Sequence, residues 1–322
     1  MVTEGEVMET GLVERGLHPP EQWQRCCLTI GNFDGVHLGH RELMTALKEM
    51  GGRLAAPRVV MTFHPHPAEL LGGKKPQRLL PVADRVRMLQ ASGADGVWVV
   101  PFEREFAALE AHEFVQQILV QQLAVSGLVV GPDCRFGAGR AGDADLLREQ
   151  GEKHHFEVRV LPPLEVDGMR VSSSLIRSLL LEGKVEAVAS MLGRAYRIKG
   201  DVVRGLQLGT KIGYPTANIQ LYEDVLTPGD GVYVVRLRLG KDVANAAVLN
   251  GVASIGTRPT FDGTELAVEA HLFDVDRPLY GESATVEFLR RIRGQEKFSS
   301  IEELQKRIAG DVETARHFFD KR

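Results

Sequence analysis

Cysteine is scarce in this chain: Cys26, Cys27 and Cys134 are the only three among 322 residues, with no CxxC pair and no zinc-like spacing. An odd, unpatterned set of this kind excludes a disulfide framework and a structural zinc site, and predicts a reducing cytoplasm as the compartment. Basic runs are missing too. Lys and Arg number 39 against 43 Asp and Glu, for a formal net charge of −4 and a pI near 6.2. No stripe suited to nucleic acid is present, so nucleic acid is not an expected partner. The short cluster Arg290, Arg291 and Arg293 reads as a solvated face, or as a contact for small anions. No segment approaches the roughly 20 apolar residues of a membrane span, so no membrane partner is expected. Residues 1–14 are acidic and lack a basic stretch followed by an apolar core, which argues against a signal peptide.

What remains is an ordinary globular composition, 43% hydrophobic and 25% charged. One hydrophobic core rarely grows past roughly 250–300 residues, so two domains are expected. In the first half, apolar segments at 26–30, 58–63, 96–100 and 127–130 alternate with helical spacing at 41–50, 84–91 and 112–123. That alternation predicts an α/β fold on a parallel sheet. Residues 179–196 read as a helix interrupted at Gly183, and the junction is placed there, giving domains 1–182 and 183–322. Beyond Gly200 the pattern changes to short alternating stretches at 201–204, 232–239, 246–255, 266–273 and 284–289, punctuated by Gly and Pro. These predict a compact β-barrel or sandwich. At 299–319 a helix is expected, with Ser300 and Glu303 as its capping box and Ile301, Leu304, Ile308 and Val312 as an apolar docking stripe. Oligomeric state is left open.

The strongest local signal is GNFDGVHLGH at 31–40. Gly31, Gly35 and Gly39 let backbone approach a polyphosphate, and a helix N-terminus adds positive potential. His37 and His40, three apart, have the donors to stabilise charge building at phosphorus; a metal pair or a structural turn is the alternative. SSSLIR at 172–177 offers Ser172, Ser173 and Ser174 to phosphate and Arg177 for a charge-assisted contact, or else is a plain helix cap with a surface arginine. In the second half, Thr216 and Asn218 of PTAN carry short oxygen-bearing side chains that suit Mg²⁺ beside a nucleotide, although a turn uses the same residues.

In combination these motifs resemble a known family. GNFDGVHLGH resembles the HxGH signature of the nucleotidyltransferases, in the version found in bacterial FAD synthetases. TFHPHP (62–67), GPDCRFGAGRAG (131–142) and SSSLIR follow in the family's order. GDVVRGLQLGTKIGYPTAN (200–218), GVASIGTRPTF (251–261), VEAHL (268–272), LYG (279–281) and IRGQEKF (292–298) resemble flavokinase segments. The chain is thus similar, from about Arg15 to Arg316, to the bacterial bifunctional riboflavin kinase/FMN adenylyltransferase family.

The resemblance implies a Rossmann-like HxGH nucleotidyltransferase domain followed by a flavokinase β-barrel with a C-terminal helix. It implies that riboflavin is phosphorylated to FMN, which is then adenylylated to FAD, with ATP as co-substrate and Mg²⁺ as cofactor. His37, His40 and Glu269 become the catalytic residues. Gly31, Asn32, Phe33, Asp34, Gly39, Asp133, Ser172, Ser173, Ser174, Arg177, Gly209, Lys211, Gly213 and Pro215 become nucleotide contacts. Phe63, Pro65, His66 and Arg293 become flavin contacts, and Thr216 and Asn218 metal ligands. The chain departs from the family at Thr210, where a basic residue is usual, and at Cys134, where an aromatic is usual. An adenylyltransferase with a silent barrel, another HxGH enzyme and a non-enzymatic flavin binder are the competing readings.

Overall fold

The computed structural model describes residues 12–72, 75–205, 209, 212–222, 225–240, 246–260, 263–275 and 277–321. Lys211 and Thr210 lie outside the described residues. The chain divides into two compact units, Met1–Ser173 and Ser174–Arg322.

The first unit is built on six parallel strands: β1 (Leu12–Arg15), β2 (Cys27–Ile30), β3 (Arg58–His64), β4 (Gly96–Pro101), β5 (Gly127–Val130) and β6 (Glu157–Val160). They pair in the order β1-β4-β3-β2-β5-β6. The helices between them are α1 (Leu38–Leu54), α2 (Pro67–Leu70), α3 (Val82–Ala91), α4 (Arg104–Ala108), α5 (Ala111–Glu113) and α6 (Ala144–His154). A small hairpin, β7 (Glu165–Val166) and β8 (Met169–Arg170), follows the sheet. The central strands are near-continuous apolar runs because both sheet faces are covered. Along β3, Val59 and Met61 enter one core cluster with Leu28, Trp98 and Leu128, while Val60 enters the opposite one with Cys27, Val97 and Val129.

Residues 112–123 are helical, but α5 runs into a π-helical stretch, Phe114–Gln122, that buries Phe114, Val115, Ile118 and Leu119. Strand β6 and helix α6 have no counterpart in the sequence reading. β6 is a four-residue edge strand, EVRV, half-exposed along its length.

The second unit is a barrel of six strands: β9 (Tyr196–Val203), β10 (Ala217–Leu221), β11 (Gly231–Leu239), β12 (Ala247–Thr260), β13 (Gly263–Leu272) and β14 (Ser283–Arg293). It closes in the order β10-β13-β12-β11-β14-β9. Closure removes the unpaired edges that a sandwich would leave. The expected helix at 179–196 is instead α7 (Ser173–Leu181), α8 (Val185–Leu192) and the first residue of β9. At the break, Gly183 has φ +75°, and a Cβ there would sit 2.7 Å from Tyr233 Oη. Only glycine fits.

The chain closes with α9 (Ile301–Asp320), capped as expected by Ser300, whose hydroxyl accepts from Glu303 N at 3.2 Å. The Glu303 carboxylate reaches back to Ser299 N and Oγ at 2.9 and 2.8 Å, one residue short of a reciprocal box. Its docking face is centred further along than expected. Ala315 is fully buried, with Val312, Phe318 and Phe319 packed against the same barrel cluster, whereas Ile301 is exposed.

Candidate active sites

Strands β3, β4 and β1 lie on one side of β2, and β5 and β6 on the other. Ligands in open α/β sheets bind outside the carboxyl ends of the strands at such a reversal. GNFDGVHLGH leaves β2 at this point as a tight loop, with Phe33 at φ 49°, Gly35 at 85° and Val36 at 38°. Left-handed backbone at two non-glycine residues costs energy and needs support from its surroundings. That support is visible. The buried Asp34 carboxylate accepts from the amides of Leu79 (3.0 Å) and Leu80 (3.2 Å), and Ser173 Oγ donates to Asp34 O at 2.9 Å.

The loop delivers two histidines to the start of α1. His37 is the N-cap, buried, and its Nδ1 accepts from His40 N at 3.3 Å. With Nδ1 accepting, a neutral His37 carries its hydrogen on Nε2. The two rings stack at 3.6 Å between centroids, 14° from parallel. His40 Nδ1 is buried without a hydrogen-bond partner. Burial, and then the neighbouring His37 and Arg85, push the His40 pKa well below its ordinary value. His40 is therefore a neutral imidazole near pH 7 in the free protein, and an incoming anion favours its protonation.

The histidines open onto a pocket of about 660 Å³. Gly31, Asn32, Phe33, Gly39, Phe63, Asp133, Ser172 and Ser173 line it with them, so segments distant in sequence meet here. One wall is aromatic: Phe63, Phe102 and Phe106 lie 5.6–5.9 Å apart between centroids, and Phe106 and Phe114 continue at 6.2 Å. At the mouth Asp133 pairs with Arg170. Cys134 lines the pocket, its thiol pushed up to about 11 by burial, so it remains protonated.

Other expected residues fall elsewhere. Asp34 supports the loop from behind. His66 caps α2, its Nδ1 accepting from Ala68 N at 3.1 Å, and Pro65 precedes it outside the pocket lining. Ser174 is exposed and Arg177 half-buried on α7, beyond the first unit.

In the barrel, strand pairing sets the geometry. Asn218 of β10 lies opposite Glu269 of β13, which lies opposite Ser254 of β12. Directly paired residues share a face, so these three side chains form a cross-strand row. Gly205 and Gly209 close over this end. A Cβ on Gly205 would fall 2.3 Å from Asn218 Nδ2, and one on Gly209 would fall 2.2 Å from Tyr214 O and 3.2 Å from Thr216 Oγ1. Pro215 O is held by His271 Nδ1 at 2.9 Å, Gly213 turns the chain at φ +86°, and Gln305 of α9 donates to Ile212 O at 3.2 Å. Arg293 is committed elsewhere: its Nε and Nη2 meet the Asp311 carboxylate at 3.0 and 2.7 Å.

Among the described residues no group of three or more His, Cys, Asp or Glu is arranged to hold a metal. Thr216 and Asn218 offer side-chain oxygens at one barrel end, beside the Glu269 carboxylate, and such donors fit Mg²⁺ shared with substrate phosphates.

Sequence reasoning missed Phe102, Phe106, Phe114 and Arg170, which carry no motif, and Arg85. Arg85 is 6% exposed, and its Nη1 and Nη2 donate to Asn32 O and Phe63 O at 2.7 and 2.8 Å.

Comparison with known proteins agrees with both units. Residues 19–175 match the family model described as FAD synthetase, and residues 192–319 the model described as riboflavin kinase. The chain is 43% identical over 309 residues to the bifunctional riboflavin kinase/FMN adenylyltransferase of Escherichia coli strain K12, covering 95% of this chain and 97% of the relative. Its Haemophilus influenzae counterpart is 40% identical over 308 residues, covering 95% and 98%. A crystal structure described as a macrolide-efflux protein from Streptococcus pneumoniae superposes with a TM-score of 0.83 at 32% identity, covering 94% of this chain and 98% of that one.

Proposed function

The chain belongs to the bifunctional riboflavin kinase/FMN adenylyltransferase family, and from that premise we propose which residues perform each step. It phosphorylates riboflavin to FMN with ATP, then transfers AMP from ATP to FMN, giving FAD and pyrophosphate.

The adenylyl transfer is assigned to the pocket at the end of β2. The observation that carries the assignment is the meeting there of the 31–40, 131–142 and 172–173 segments. The α1 N-terminus and the stacked His37 and His40 face the charge that develops at the α-phosphorus. Gly31, Asn32, Phe33, Gly39, Asp133, Ser172 and Ser173 hold the nucleotide. Phe63 and its ring neighbours take the isoalloxazine. Asp34, Pro65 and His66 act through backbone placement. Ser174 and Arg177 remain part of the proposed nucleotide contact through the SSSLIR resemblance.

The kinase step is assigned to the Asn218–Glu269 row. Glu269 orients the riboflavin 5′-hydroxyl and accepts its proton, while Gly209, Lys211, Gly213 and Pro215 are assigned, by the resemblance, to contact ATP. Thr216 and Asn218 would ligate Mg²⁺, which supplies neutralisation of phosphate charge when bound. Arg293 supports the barrel end through Asp311. We draw the functional boundary between domains near Gly183 and place the enzyme in the cytoplasm, which the free thiols of Cys26 and Cys27 support.

Two variants test the map, with riboflavin and FMN supplied in separate reactions beside ATP and Mg²⁺ and the flavins separated by chromatography. His40→Ala is expected to lower FMN-to-FAD turnover by about 10²–10³-fold and leave riboflavin phosphorylation unchanged. Glu269→Gln is expected to do the reverse, by about 10²–10⁴-fold. A variant that loses both activities equally, or a Glu269→Gln kinase within threefold of wild type, removes the corresponding assignment.

A further inference from the structure

Arg85 is a buried cation that turns both ends of its guanidinium to backbone carbonyls. It comes from α3, yet the carbonyls belong to other elements: Asn32 O in the loop after β2, and Phe63 O near the end of β3. Burial brings its pKa down to about 10, still high enough to keep it charged at neutral pH. Nε is buried without a hydrogen-bond partner. Desolvating a guanidinium is strongly unfavourable, so the groups it holds are ones whose position matters.

The two carbonyls belong to residues that both line the same pocket. Asn32 lies in the turn that carries the histidines, and Phe63 begins the aromatic wall. Asn32 O accepts a second bond from Thr62 Oγ1 at 3.2 Å, next to Phe63 on β3, so one acceptor receives two donors from two elements.

We propose that Arg85 is a positioning residue for adenylyl transfer, fixing the separation between the phosphate-facing turn and the flavin-facing wall. It touches neither substrate. It sets how far apart the two substrates are held, and in-line attack on the α-phosphorus depends on that spacing. A misplacement of about 1 Å costs on the order of 100-fold in such reactions. The inference rests on the pocket being the adenylyl-transfer site.

The test uses the full chain, with far-UV circular dichroism and the thermal midpoint of the unit that holds Arg85 as the measure of its folding, and riboflavin phosphorylation in the other unit as the measure of enzyme concentration. Arg85→Met keeps much of the side-chain length and removes every donor. FMN-to-FAD kcat is expected to fall by about 100-fold, with KM for FMN and for ATP within about threefold and kinase activity unchanged. Arg85→Lys, which keeps the charge and three donors on one nitrogen, is expected to recover kcat to within about fivefold of wild type. Thr62→Val, a separate change of similar shape, is expected to lower kcat by about three- to tenfold. Combined with Arg85→Lys it should cost more than the product of the single effects, because both donors serve Asn32 O.

The proposal is overturned if Arg85→Met keeps kcat within threefold, if its loss lies in KM alone, or if lysine restores nothing. It is also overturned if Thr62→Val is silent and additive. His40→Ala, measured alongside, separates the two failures. Loss there with Arg85 variants intact rejects only the role of Arg85, whereas no loss in any variant rejects the pocket assignment.

Discussion

Replacing Asp311 by alanine discriminates between two uses of Arg293. By family resemblance Arg293 is a flavin contact; in the structure it binds the Asp311 carboxylate through Nε and Nη2 at 3.0 and 2.7 Å and Gly294 O through Nη1 at 3.0 Å. The side chains are 10% and 4% exposed. Those exposures decide the magnitude, since an exposed pair contributes about 0–1 kcal/mol, while removing one partner of a buried pair strands a charge at about 3–5 kcal/mol. For a unit of this size, 1 kcal/mol moves the midpoint by about 2–4 °C, so Asp311→Ala should lower the unfolding temperature of the barrel by about 6–20 °C. The assay is survival of kinase activity after graded heating, beside riboflavin KM at 25 °C. Arg293→Met combined with Asp311→Leu removes both charges and is expected to recover much of the loss, as replaced buried pairs often do. Riboflavin KM in that double variant should stay within a few-fold of wild type. A shift below about 3 °C for Asp311→Ala, or a large rise in KM without loss of stability in Arg293→Met, refutes the supporting role of this pair.

Acidification should weaken the first unit through His40. Its native pKa lies below 6.5 and the unfolded one near 6.5, so the unfolded chain binds the extra proton between the two values. Stability is complete above about pH 7.5 and falls below 6.5 by up to about 1.4 kcal/mol per pH unit; denaturant midpoints between pH 5 and 8 should show this slope in wild type but not in His40→Asn. Gly205→Ala places a methyl 2.3 Å from the Asn218 amide nitrogen. Overpacking of about 1–3 kcal/mol should depress kinase turnover by roughly 5- to 150-fold and leave FAD formation from FMN intact, and an unaffected kinase would dissociate Asn218 from that step. A fragment of residues 174–322 is expected to convert riboflavin to FMN without forming FAD, and to be more stable than one of residues 183–322. The shorter piece loses α7, whose Ile176 and Leu180 are fully buried and whose Leu180 O accepts from Gly229 N at 2.8 Å.

The motifs were legible because they combine backbone requirements with side-chain chemistry. GNFDGVHLGH announced a strand end, a tight loop and a helix start in ten letters, and the structure has all three there. The apolar runs of β2 to β5 marked a sheet covered on both faces. What stayed hidden has other causes. Strand β6 is an edge strand with alternating charges, so hydrophobicity did not reveal it. Strand β9 begins at Tyr196, soon after a helix whose apolar spacing runs on into it. The aromatic wall comes from Phe63, Phe102, Phe106 and Phe114, scattered along the chain, and Arg85 acts on carbonyls, which sequence does not display. Glu269 was marked by the resemblance alone, and its place beside Asn218 came from register: strand pairing, not spacing, sets the two opposite each other.

The two scaffolds suit two different demands on the same co-substrate. Transfer to FMN requires attack at the α-phosphorus with pyrophosphate departing, so the site must hold charge along the whole polyphosphate. A parallel sheet that sends loops from β2 and β5 toward one helix N-terminus provides backbone donors and positive potential over that length. Phosphorylation of riboflavin requires attack at the γ-phosphorus by a neutral hydroxyl, so what matters is one carboxylate held at a fixed distance from one phosphate. In the proposed assignment Glu269 is that carboxylate, and the closed barrel suits it because its ladder fixes Asn218, Glu269 and Ser254 across three neighbouring strands with no free edge to shift. A single pocket that aligned the α-phosphorus for one nucleophile would hold the γ-phosphorus several ångströms out of line for the other, and alignment is most of what catalyses phosphoryl transfer. Two sites in one chain follow from the stereochemistry of ATP, with FMN the product of one and the substrate of the other.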